Sequence, residues 1–200
     1  MSAYSLMLVF MARPLSDEKR SAILVAATAA VAALGANAPT ARISKEAGVA
    51  EGTLFVYFPT KDDLLCELYL DLKADLRRAI ATGYPADASV EHRFRHLWDR
   101  LIEWGASHPE EREAMRKLSV SDRISEVRRK AESEACNEIQ GMIEADLKSG
   151  ALREQPVEFL VGAMNALADM VFEMADRGPG TLDRFKQLGW EALWGAISPR

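Results

Sequence analysis

Three histidines and two cysteines are the chain's whole supply of the side chains that most often hold metals or attack carbonyls. His92 and His96 stand one helical turn apart, as a zinc pair would, but no third ligand follows at a matching interval, so no metal site is expected. Cys66 and Cys136 are too few for a disulfide framework and are expected to be reduced thiols of a cytoplasmic protein. No phosphate loop, nucleophile elbow or cysteine–histidine pairing can be read, so neither an enzyme nor a bound cofactor is expected. The spacing that does stand out suits contact. In Thr40–Lys61 a short apolar-faced segment with Ile43 and Ala47 is closed by Gly48, anchored by Val49, and followed by a second short segment ending in aromatics. Thr40 is expected to cap the first helix, and Gly48 to supply the left-handed turn that separates it from the next. This is helix-turn-helix punctuation.

The surrounding elements are helical by period. Ser16-Asp17-Glu18 offers a cap and first-turn acids, after which Ile23, Leu24, Ala27, Val31 and Leu34 recur at helical spacing up to Gly35. Thr60 and Asp63 have the spacing of a capping box and open a long helix striped with Leu64, Leu65, Leu68, Leu72, Leu76 and Ile80. A helix over about 89–107 follows, then one begun by Pro109. Next comes one long or one broken helix over 119–148, and then two strongly apolar helices, the first begun by Pro156. With no period-two pattern and no repeat, the expectation is an all-α fold of about nine helices.

The acidic balance argues against a chain that coats nucleic acid indiscriminately. The chain has 200 residues, 48% of them hydrophobic, and a formal net charge of −5. Residues 1–60 sum to +1 and the remainder to −6, so the front is the anion-facing end. The apolar run Leu6–Met11 is too short to span a bilayer and lacks the flanks of a signal peptide, so no membrane partner is expected.

Ala47-Gly-Val-Ala-Glu-Gly-Thr-Leu-Phe-Val-Tyr-Phe-Pro-Thr-Lys-Asp-Asp-Leu-Leu65, preceded by Ser21-Ala-Ile-Leu-Val-Ala-Ala27, resembles the TetR (TetR/AcrR-type) family of transcriptional regulators across roughly residues 16–65. Residues 1–15 read as an N-terminal arm, ordered or flexible, and the resemblance implies a DNA-binding domain at 16–62 and a helical effector-binding and dimerisation domain at 63–200. It implies that the second and third helices enter the major groove of an operator duplex. Thr40, Tyr57 and Lys61 would then hold phosphates, Gly52 would let the backbone approach, and Thr53 would offer a hydroxyl. Glu51 can accept from a cytosine amino group, and Phe55 keeps a packing ring where the family usually has tyrosine. Ala50 stands where serine commonly caps the third helix. Leu54 and Phe58 are expected to be core.

The last two helices are apolar over more than one stripe, so a homodimer through them is expected, with Ala163, Leu167, Met170, Phe185, Gly189, Ala192 and Ala196 at the interface. The resemblance also implies a small apolar or aromatic effector, with Phe94, His96, Trp98, Met115, Met142, Met164 and Phe172 as its lining. The expected function is a ligand-responsive repressor binding a palindromic operator. The rival is a helical protein-interaction adaptor, which predicts no salt-dependent affinity for DNA.

Overall fold

The computed structural model describes residues 16–124, 137–176, 178 and 180–199, with backbone alone over 137–140. Among them are nine α-helices and no strand: α1 (Asp17–Leu34), α2 (Thr40–Glu46), α3 (Glu51–Tyr57), α4 (Lys61–Ala81), α5 (Val90–Ser107), α6 (Pro109–Ser119), α7 (Asn137–Lys148), α8 (Val157–Ala175) and α9 (Leu182–Ile197). The expected arm at 1–15 and all of the run 125–140, Cys136 included, lie outside the described side chains. Within 119–148 the chain does break, because α6 stops at Ser119 and a 3-10 turn covers Asp122–Ile124.

Local chemistry sets the boundaries. The Ser16 hydroxyl accepts from the Lys19 amide at 3.4 Å to open α1, and Gly35 closes it with a φ of 70°. Thr60 and Asp63 form the full reciprocal box at the start of α4, each backbone amide donating to the other's side chain at 3.0 Å. Ser89 caps α5, and Pro109 occupies the first turn of α6, where its missing N–H costs nothing.

Two cores lie end to end and α4 runs through both. The first gathers Ile23, Ala27 and Val31 of α1, Ile43 of α2, Leu54 of α3, Phe58 just after it, and Leu64, Leu65, Leu68 and Leu72 of α4. The second begins one turn later at Leu76 and takes in Phe94, Trp98, Ile102, Leu160, Met164, Phe172, Trp190 and Leu193. Length and composition alone would let residues 17–37 cross a membrane, but Ile23, Ala27, Ala30 and Val31 of that span are wholly buried in the first core.

The first core reaches past residue 62. Ala114 and Leu118 of α6 and Ile124 are fully buried in it, and α6 lies along α1. At the end of α1 the Lys117 ammonium donates to the carbonyls of Ala32 and Ala33 at 2.6 and 3.2 Å, satisfying groups the helix leaves open. Thus the helix-turn-helix is roofed by an element 50 residues further along the chain. Met115 on α6 packs against both cores.

Candidate nucleic-acid interface

The turn between α2 and α3 is built as its residue types require. Gly48 takes a φ of 67°, a region that costs a residue with Cβ about 1–2 kcal/mol, and its amide donates to the Lys45 carbonyl at 3.2 Å. The Val49 amide donates to the Ser44 carbonyl at 3.0 Å, and its side chain packs on the first core. Ala50 begins α3 with no side-chain cap, as the loss of a hydroxyl there predicts.

Thr40 departs from expectation. Pro39, not Thr40, is the residue that leads into α2, and Thr40 is already helical. Its hydroxyl donates instead to Glu51 Oε1 at 2.7 Å, so two residues expected to meet DNA separately are joined across the turn. The physical reason is backbone: proline holds the extended conformation that a cap position needs, leaving the following hydroxyl free to reach sideways.

Tyr57 is half-buried, and its phenolic oxygen accepts from the Ser16 backbone N–H at 2.9 Å. That bond uses a lone pair of the oxygen and leaves the phenolic proton to donate outward, so the end of α3 and the start of α1 are tied without removing the expected donor. Lys61 opens α4 half-buried. Burial, and then the guanidinium of Arg123, hold its ammonium below the usual lysine value, while Asp62 works against them. Arg123 pairs with Asp62 at 2.8 Å, so the turn after α6 places a second cation beside the first turn of α4. Sequence spacing gave no signal for Arg123, which is 62 residues from Lys61.

On α3 the inward face is Leu54 with Phe58 just beyond the last turn, both buried. At about 100° per residue, Gly52 and Val56 lie at about 160° and 200° round the helix from Leu54, at the crest of the outward face. Thr53 and Phe55 flank them, Thr53 half-buried and Phe55 39% exposed. A Cβ at Gly52 would meet nothing within 4 Å, so nothing inside the molecule requires glycine there. Val56, passed over in the sequence reading, is 63% exposed; its place one turn after Gly52 was the signal that could have found it.

The residues expected to line an effector site fall mostly in the second core. Phe94, Trp98, Met164 and Phe172 are buried there, and Met115 borders it. Met142 is half-buried. His96 turns its Nε2–H to the Ile80 carbonyl at 2.9 Å and meets Tyr84 edge-on, and His92 Nδ1 lies 3.0 Å from the Ser89 hydroxyl. Among the described residues no cluster of three ligands for a metal occurs.

The last two helices divide their apolar residues between an inner and an outer face. Gly189 is a correction to the expected interface. It is buried, and a Cβ on it would lie 2.5 Å from Trp98 Cζ2, so its smallness serves the packing of α9 on α5. Ala192 and Ala196 are exposed, Met170 is 45% exposed, and Ala163, Leu167 and Phe185 are half-buried. Phe159 at 66% and Leu188 at 47% extend the same outward apolar character.

Residues 23–68 match the model of bacterial regulatory proteins of the tetR family. A protein described as a tetR family transcription regulator from Shewanella sp. PV-4 is 27% identical, with a TM-score of 0.80 over 91% of this chain and 99% of its own. A TetR family transcription regulator from Marinobacter aquaeolei VT8 shares the fold at a TM-score of 0.81 and 23% identity over 92% of this chain and 97% of its own. So does a regulator from Vibrio parahaemolyticus, at 0.74 and 23% over 91% and 100%. These relatives are transcription regulators rather than enzymes, and their likeness runs from the helix-turn-helix through the whole helical body. Residues 23–68 thus carry the sequence pattern of the tetR family, and the helix order, with the turn that separates α2 from α3, is that of solved TetR-family transcription regulators.

Proposed function

We propose that the protein is a cytoplasmic, homodimeric repressor that binds a palindromic operator through α2 and α3 and releases it when a small apolar or aromatic effector binds among α5 to α8. The observation that carries the DNA reading is the outward face of α3. Its crest holds a glycine that no internal contact demands, and cationic or hydroxyl groups from Tyr57, Lys61 and Arg123 stand at its end. An uncharged helix crest bordered by phosphate-binding groups suits a groove.

The dimer reading rests on the exposed apolar residues of α8 and α9, since an operator of two half-sites needs two copies of α3 at a set separation. The effector reading rests on the aromatic and methionine content of the second core and on α4, which belongs to both cores. An effector that prefers one tilt of α4 changes the distance between the two copies of α3. Coupling of this kind is about 1–3 kcal/mol.

The test is operator affinity as a function of salt. Lys61→Ala should weaken binding and lower the salt slope by about one while leaving the fold intact. Salt-independent or absent binding to every duplex would sink the proposal and favour the adaptor.

A further inference from the structure

We propose that Val56 reads the 5-methyl group of a thymine in the major groove, making one thymine of each half-site a determinant of specificity. This rests on the operator-binding reading of α3 given above. Val56 stands opposite the buried Leu54–Phe58 face and is 63% exposed. Gly52, one turn earlier on the same crest, has open space where its Cβ would be. A groove wall can therefore approach the backbone at Gly52 until the next side chain on the crest, Val56, meets it. An isopropyl group can neither donate nor accept a hydrogen bond. Of the base edges in the major groove of unmodified DNA, thymine alone offers an apolar group; the others present only donors and acceptors that valine would leave unpaired.

Among the neighbours on α3, Glu51 already accepts from Thr40, Tyr57 presents a polar phenol that accepts from the Ser16 amide, and Thr53 is half-buried on one flank. Phe55 is apolar and 39% exposed but lies on the other flank, so Val56 is the apolar side chain on the crest itself. Valine is also a poor choice for an exposed helix position on propensity alone, because its branched Cβ is restricted against the preceding turn. Nothing within the monomer covers it enough to offset that.

The test selects an operator with the full-length chain from random duplexes, then replaces its thymines one at a time by deoxyuridine, which removes only the methyl group. Burial of one methyl predicts about a fourfold loss of affinity per half-site, and about fifteenfold when both half-sites are changed. Val56→Ala, a change at an exposed position, should bind the thymine and deoxyuridine duplexes equally. Wild-type protein that binds every deoxyuridine duplex as tightly as the parent overturns the assignment, as does a Val56→Ala protein that keeps the full discrimination. A Val56→Ala protein with altered oligomeric state and unaltered discrimination gives this face to a protein contact and also overturns it. If no duplex is bound in a salt-dependent way, the operator reading itself fails and takes this one with it.

Discussion

Gly48 and Gly52 are four residues apart and should respond to the same substitution in opposite directions. At Gly48 the φ of 67° makes Gly48→Ala strained wherever the side chain points, and stability should fall by about 1–2 kcal/mol. At Gly52 the backbone is helical and the added methyl meets nothing, so Gly52→Ala should raise stability by about 0.5–1 kcal/mol. Yet Gly52→Ala should weaken operator binding, because the methyl sits where DNA would approach. Thermal melts and anisotropy titrations of the two variants check both signs. The two roles were partly legible from the residues alone: Gly48 as a helix stop follows from Ala47-Gly-Val, and Gly52 from its place in the second short helix. The link from Thr40 to Glu51 was not, because a hydroxyl beside a helix start fits a cap as well as a side-chain bond, and only the extended backbone at Pro39 decides.

Between helices, side-chain bonds set the joints. Trp104 on α5 donates to Asp75 on α4 at 2.9 Å, and this bond, with Arg78 also contributing, holds the Asp75 carboxyl below the usual carboxylate value. A carboxyl depressed in the folded state contributes stability that is fully present above its unfolded value, about 3.9, and is lost as pH falls through the lower folded value. Asp75→Asn should therefore melt below wild type at pH 7, and the gap should begin to close only as the pH falls below about 4 and vanish once it has passed the lower folded value. A gap independent of pH would show that the charge is irrelevant. On α9, Gly189→Ala should cost about 1–3 kcal/mol and disturb Trp98 fluorescence, since the new Cβ also comes within 2.9 Å of Val171 Cγ2. Helix order and most boundaries could be read from spacing because caps and leucine stripes are local signals. The facing of Gly189 could not: Gly189, Ala192 and Ala196 recur at helical spacing on one apolar helix, and the split of that stripe into an inner and an outer edge depends on where α5 lies.

At the scale of the molecule, the outer faces of α8 and α9 are where assembly should be sensitive. Ala192→Glu places a charge on an exposed apolar face, so it should leave the monomer fold unchanged while shifting sedimentation towards the monomer and weakening binding to a two-half-site operator more than to a single half-site. A variant that remains dimeric would move the interface elsewhere. Another feature of the whole molecule reaches further. Because Ala114, Leu118 and Ile124 complete the first core and Lys117 closes the end of α1, the unit that carries α3 is assembled from two separate pieces of chain. A graft that moved residues 16–62 alone onto another regulator's body would leave the apolar surface of α1 that faces α6 uncovered and two carbonyls without their lysine. A transplantable reader needs the matching α6 and its turn as well, so exchange of operator specificity between such regulators is a matter of two compatible cuts rather than one.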